Sequence, residues 1–219
     1  MTIIIAVDGT AASGKGTLAK KLARHFGFAH LDSGSLYRLV ALGVLEAKGD
    51  PKKEQDAVAA ARAVDPARAS DPAIRTAEIG NMASIVSAIP AVRAALLDFQ
   101  HAFAAGSSPG AVIDGRDIGT VVCPDATAKL FVDAKPQVRA HRRWLELSAA
   151  GSAPSESAIL AEIEARDARD RSRAIAPLKP ATDARLLDTS DLAIDAAFAA
   201  ALALVRPSVE NALKARQGG

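Results

Sequence analysis

The chain predicts an α/β fold, a five-stranded parallel sheet flanked by helices, and three observations carry the prediction. Short β-rich segments alternate with longer helical patterns along its 219 residues, the arrangement that places crossover helices on both faces of a parallel sheet. The first apolar run, Ile3-Ile4-Ile5-Ala6-Val7, feeds directly into the glycine-rich turn Gly9-Thr10-Ala11-Ala12-Ser13-Gly14-Lys15-Gly16-Thr17. Residues 37–106 are almost wholly helical in pattern, so a helical insertion interrupts the alternation.

Taken in order, residues 3–7, 29–31, 111–113, 128–132 and 185–187 are the predicted strands. In parallel sheets the ligand crevice lies beyond the carboxyl ends of the strands. There the chain places Asp8-Gly9, Asp32-Ser33-Gly34, Asp114-Gly115-Arg116-Asp117 and Asp133. Within the insertion, Asp50-Pro51, Asp65-Pro66 and Asp71-Pro72 each predict a helix start, because an N-cap carboxylate satisfies orphan N–H groups and a proline at N1 lacks one. Ile89-Pro90 starts a helix through Phe103 that Gly106 closes, and residues 154–173 form a charged helix broken by Pro177 and Pro180.

Gly9 to Thr17 fits the G-x-x-x-x-G-K phosphate-loop pattern in the strand-to-helix setting that pattern needs. Glycines let the backbone curl with its N–H groups inward, the following helix presents its positive end, and Lys15 adds a full charge. The polyanion answered by this arrangement is ATP. Gly16, rather than Ser or Thr, follows Lys15, so the hydroxyl of Thr17 sits one residue later. That shift favours Mg²⁺ held by phosphates and water over ligation from the position after the lysine.

Composition excludes several classes. A content of 49% hydrophobic residues supports one substantial core with insertions. A net charge of +2, from 27 basic and 25 acidic residues, is too small for a nucleic-acid-binding surface or a polybasic membrane anchor. Cys123 is the only cysteine, which excludes an internal disulfide and suits a reducing compartment, with a packing role beside Val121-Val122. The amino terminus lacks a basic leader and no apolar run reaches membrane-spanning length, so a soluble, cytoplasmic protein is expected. His25, His30, His101 and His141 show no metal-ligand spacing and no nucleophile motif, so surface or partly buried roles are expected and no protein metal site is predicted.

Three further segments carry chemistry. Asp114-Gly115-Arg116-Asp117 combines an arginine fork with two carboxylates, suited to a ligand that is partly anionic and partly hydrogen-bonding; a tight turn with a surface ion pair uses the same letters. Asp32-Ser33-Gly34-Ser35-Leu36-Tyr37-Arg38 turns into a helix and offers an anion site at its start, or an ordinary N-cap with a solvated arginine. Arg166, Asp170 and Arg173, at i, i+4 and i+7, share one face of a helix. By themselves they make a solvated ion-paired face. Beside a phosphate loop they supply the several donors that a transferring phosphoryl group needs.

Together these residues resemble bacterial cytidylate kinases, members of the nucleoside monophosphate kinase group. The resemblance covers nearly the whole chain and is carried by Gly9 to Thr17, Asp32 to Arg38, Ser84 with Arg93, Asp114 to Thr120, and Arg166 to Arg173 running on to Ala176-Pro177-Leu178. It implies a P-loop NTPase core at residues 1–36, 106–150 and 181–219, a monophosphate-binding region at 37–105 and a short lid at 151–180, in one compact unit. It also implies that Ser33, Tyr37, Arg38, Ser84, Arg93, Asp114, Arg116, Asp117, Arg166, Asp170 and Arg173 bind CMP or dCMP, with Lys15, Arg116 and Arg173 serving transfer from Mg·ATP in a monomer. Related enzymes carry a small antiparallel β insertion after the helix ending near Val64. Here only residues 65–71 span that place.

Two rivals remain at this stage. A kinase of another small acceptor, a different nucleoside monophosphate or a hydroxyl metabolite such as shikimate, shares the core, and a hydroxyl acceptor would use Asp32 or Asp114 nearby. A non-enzymatic nucleotide switch would need a guanine-reading Asn-Lys-x-Asp segment, which the chain lacks.

Overall fold

The computed structural model describes residues 2–149, 151 and 154–217; the parts of the expected core and lid at residues 1, 150, 152, 153, 218 and 219 lie outside the described residues. Five strands, β1 (Ile3–Gly9), β2 (Ala29–Asp32), β3 (Gly110–Gly115), β4 (Ala128–Asp133) and β5 (Arg185–Asp188), form one sheet in the order β2-β3-β1-β4-β5. Every expected strand is present and ends one or two residues later, and β3 also begins one residue earlier. β1 pairs in parallel with β3 and β4, and β4 with β5. The central β1 is covered on both faces, which is why its sequence is a continuous apolar run instead of an alternating one.

The helices are α1 (Lys15–Phe26), α2 (Ser33–Glu46), α3 (Glu54–Arg62), α4 (Ala77–Val86), α5 (Pro90–Gly106), α6 (Pro136–Ala149), α7 (Glu156–Ser172) and α8 (Ile194–Gln217). The chain divides into two compact units, Met1–Leu31 with Gly106–Gly219, and Asp32–Ala105.

In the first unit Ile5 and Val7 of β1, Leu130 and Val132 of β4, Leu18 and Leu22 of α1, and Ala201 and Val205 of α8 share one core. Burying each large side chain contributes about 1.5–3 kcal/mol. A smaller cluster joins Ala140 of α6 to Ile159 and Ile163 of α7, with Trp144 and Ala12 packed against it.

The second unit is helical and has its own core, built from Leu36, Val40, Val44, Ile79, Val86, Val92 and Leu96. Asp65 and Asp71 cap two short 3₁₀ turns, Pro66–Ser70 and Pro72–Arg75, accepting from the Ala67 and Ala73 N–H groups at 3.0 and 2.9 Å. These turns occupy the place where a β insertion is absent. The Asp50-Pro51 expectation needs correction, because α3 begins only at Glu54. Asp50 instead closes a tight turn, its carboxylate accepting from the Lys52 N–H while its own N–H donates to Asp56 Oδ2, both at 2.9 Å.

Candidate active site

β1 delivers the chain to Gly9, where a Cβ would stand 2.0 Å from the Val132 carbonyl oxygen, so only glycine permits this crossing beside β4. Gly14 takes the left-handed conformation at the N-cap of α1 (φ 86°), and Lys15 is the first residue of that helix. Two hydroxyls brace the loop: Thr10 donates to Asp133 Oδ1 at 2.6 Å, and Ser13 donates to the Thr10 carbonyl at 3.1 Å. A cavity of about 550 Å³ opens beside residues 12–18, walled also by Arg142, Arg143 and Glu146 of α6 and by Thr189, Leu192, Ile194 and Ala197. The Thr189 hydroxyl bonds the Ser13 carbonyl at 3.0 Å, while Arg142 holds the Thr189 carbonyl at 2.6 Å. The loop is therefore set from behind by residues that the glycine-rich pattern does not contain.

The end of β3 stands next to β1 in the sheet and brings Asp114, Arg116 and Asp117 to the same unit. Asp114 is buried, with Oδ1 2.9 Å from His30 Nε2 and Oδ2 3.5 Å from the point a Cβ on Gly16 would occupy. Asp8 accepts the Ile118 and Gly119 N–H groups at 2.8 and 2.7 Å, tying the turn after β3 to the residue before the phosphate loop. Burial pushes the Asp8 carboxyl up to about 7, the two N–H bonds opposing this and the Asp117 charge adding to it.

Asp170 of α7 collects arginines from two segments. Arg116 Nε donates to Oδ2 at 3.0 Å, Arg173 Nη2 donates to Oδ1, and Arg166 Nε lies 4.0 Å from Oδ2. Burial alone would raise this carboxyl, but Arg116, Arg173 and Arg166 outweigh it and hold Asp170 below the usual carboxylate range. The helical i+7 spacing does not extend to Arg173, because α7 ends at Ser172 and Arg173 is extended, with ψ 134°. The Leu178 N–H then folds back onto the Asp170 carbonyl at 2.8 Å, returning Arg173 to the same carboxylate.

In the helical unit, Ser33 opens α2 under an Asp32 N-cap, and Arg38 donates to the Ile74 carbonyl at 2.6 Å. Gly80 leaves room for that guanidinium, since a Cβ there would lie 3.3 Å from Arg38 Nη2. Arg93 is buried, its guanidinium 5.8 Å from the Tyr37 ring centre and 3.4 Å from the Ser87 carbonyl. The Ser87 hydroxyl donates to the Ser84 carbonyl at 3.0 Å, so Tyr37, Ser84 and Arg93 belong to one neighbourhood.

Sequence reasoning gave His30 and Thr189 no specific part. His30 is partly buried, as its default role allows, but it partners a site carboxylate. Asp8 and Asp133 were visible as strand-end carboxylates without an assigned task. Cys123 is buried as expected, and burial together with the Asp8 charge pushes its thiol up to about 11.

A phosphate loop between a parallel strand and a helix, with arginines drawn to a carboxylate beside the neighbouring strand end, defines a phosphate-loop phosphotransferase. The cytidylate kinase family model matches residues 5–207. The chain is 57% identical over 203 residues to a cytidylate kinase of Afipia carboxidovorans, covering 93% of this chain and 97% of that relative. It is 56% identical to one from Nitrobacter winogradskyi and 55% to one from Bradyrhizobium diazoefficiens, each over 93% of this chain and 95% of the relative. This chain belongs to the cytidylate kinase family. A crystal structure of an uncharacterized protein from Eubacterium ventriosum, 16% identical with a TM-score of 0.52, covers 94% of this chain and 99% of its own and shares the fold. No single helix among the described residues is long and apolar enough to cross a membrane.

Proposed function

We propose that this chain transfers the γ-phosphoryl group of ATP to CMP or dCMP, giving ADP and CDP or dCDP, as its family membership supports. An oxygen of the acceptor phosphate bonds to the γ-phosphorus while the bond to the β,γ-bridging oxygen breaks and its electron pair leaves with ADP. The second ionisation of a phosphate monoester lies near pH 6, so the acceptor oxygen is already a nucleophile and no general base is needed. One observation carries this reading: Arg116 and Arg173 converge on the buried Asp170 in the unit that holds the phosphate loop. Lys15, Arg116 and Arg173 neutralise charge developing on the transferring group, and the inward N–H groups of residues 9–17 hold the donor phosphates.

The acceptor roles are assigned residue by residue. Arg38 and Arg116 hold the acceptor phosphate, with Ser33 and Asp114 beside it. Asp117 accepts from the cytosine N4 amine, while Ser84 and Arg93 donate to N3 and O2, with Tyr37 supporting Arg93. Arg166 and Asp170 serve the ribose and phosphates from a lid spanning 151–180, and 37–105 is the monophosphate-binding region. Uracil would turn an acceptor oxygen toward the Asp117 carboxylate, which penalises UMP.

Thr17 lines the cavity beside the loop, and its hydroxyl would face a hard cation that is held by substrate phosphates and water. Magnesium, when bound, supplies charge neutralisation between the donor phosphates. The protein acts as a cytoplasmic monomer. The test is ADP release from Mg·ATP with CMP, dCMP, UMP, AMP and shikimate at matched subsaturating concentration. Preference for CMP and dCMP is expected; turnover of shikimate alone overturns the acceptor assignment.

A further inference from the structure

A phosphate loop that turns its N–H groups inward turns several carbonyls outward, and a buried carbonyl needs a donor. For Ala11 that donor is Arg139 of α6, whose Nη1 lies 3.0 Å from the Ala11 oxygen. The same guanidinium gives Nε to the Ala134 carbonyl at 2.7 Å and Nη2 to Asp167 Oδ2 at 2.6 Å. The Arg139 side chain is 1% exposed and the Asp167 side chain 3%. One fully buried fork thus joins three segments: the phosphate loop, the turn after β4, and α7.

Asp167 sits beside Arg166 and three residues before Asp170, so whatever holds Asp167 sets where those groups stand. A second contact runs in parallel, because Ala12, left-handed at φ 57°, packs against the Ala140, Ile159 and Ile163 cluster of α6 and α7. A buried arginine paired to a single carboxylate is poor value as stabilisation alone, since apolar residues of like volume commonly do as well. Its planar fork is what lets three directions be fixed at once.

We propose that Arg139 is a positioning residue that couples occupancy of the phosphate loop to the placement of α7, so that bound ATP orders the helix carrying Arg166 and Asp170. Charge entering the loop draws its N–H groups inward, shifts the Ala11 carbonyl, and passes through the guanidinium to Asp167. The proposal rests on the donor-site reading above.

The experiment is amide hydrogen exchange with Mg·AMP-PNP and no CMP, with calorimetry confirming that the analogue binds. In the wild type, exchange across α7 slows about threefold or more on adding the analogue. In Arg139→Lys, which keeps the charge but not the fork, that slowing is lost while the protein still melts cooperatively and binds the analogue. Asp167→Asn is measured alongside and loses it too. A purely structural arginine would lower Tm and leave the slowing intact, and that result overturns the proposal. Unchanged α7 exchange in the wild type with the analogue bound overturns it without any variant; no analogue binding instead removes the donor-site reading itself.

Discussion

Asp8, Asp114, Asp117, Asp167 and Asp170 are all buried in the unit that carries the phosphate loop, together with Arg139. The helical unit differs in kind: its buried polar side chains among the described residues are Ser33, Ser35, Ser84, Ser87, Gln100 and Arg93. Both units have a hydrocarbon core, but among the described residues buried carboxylates are found in the first alone, while the helical unit buries hydroxyls, one amide and one guanidinium. Charge is held in the unit that carries the phosphate loop, and preorganised charge in a low-dielectric interior needs no reorganisation during a reaction. The consequence is that the first unit answers to pH and charge deletion, and the second to lost volume.

The largest expected effect tests the charged unit directly. Arg116→Ala removes the arginine that links the end of β3 to Asp170, and kcat for CMP-dependent ADP release should fall about 10²- to 10³-fold in a protein that still melts cooperatively, at a lower Tm because the buried Asp170 loses a partner. Near-normal kcat/KM would sink its assigned role. In the helical unit Leu36, 1% exposed at the centre of the core, should when changed to Ala cost about 2–5 kcal/mol in denaturant unfolding.

Titration separates the units more finely. The Asp8 carboxyl, at 3.8 when unfolded, is pushed up to about 7 by burial, so the folded state holds a proton that the unfolded state releases. Its contribution favours folding at low pH and is lost as pH rises between those values. Asp170, held low by its arginines despite burial, has the opposite sign: its contribution is present above the unfolded carboxylate range and lost as pH falls beneath it. Tm against pH in wild type and Asp8→Asn should differ in slope between about pH 4 and 7. Protection factors in Asp32–Ala105, corrected for the intrinsic pH dependence of amide exchange, should change little across the same interval. A flat difference curve would show that Asp8 stays ionised. The smallest effect is Thr76→Ala, which removes the α4 cap bond to Ile79 N–H at 3.2 Å and should lower stability by about 1 kcal/mol.

The sheet was legible in the sequence because strand, turn and helix signals agreed along the first unit, and the Gly9-to-Thr17 loop could be placed at the end of β1 from spacing alone. Arg139 was not legible. A lone arginine in a basic helix, followed by His141, Arg142 and Arg143, looks solvated until β4, α7 and the phosphate loop are folded around it. The Arg173 contact was foreseen as a neighbour of Asp170 but through the wrong geometry, since the turn after Ser172 depends on the Leu178 return. Asp50 failed as a helix start because two local bonds, to Lys52 and Asp56, competed for the same residue.

The single thiol has a practical consequence. With Cys123 buried and its thiol pushed up to about 11, about one molecule in ten thousand carries the reactive thiolate at pH 7. The native chain is therefore nearly silent toward maleimides. A cysteine placed on the exposed Glu78 would accept a fluorophore at that one position without Cys123 first having to be removed.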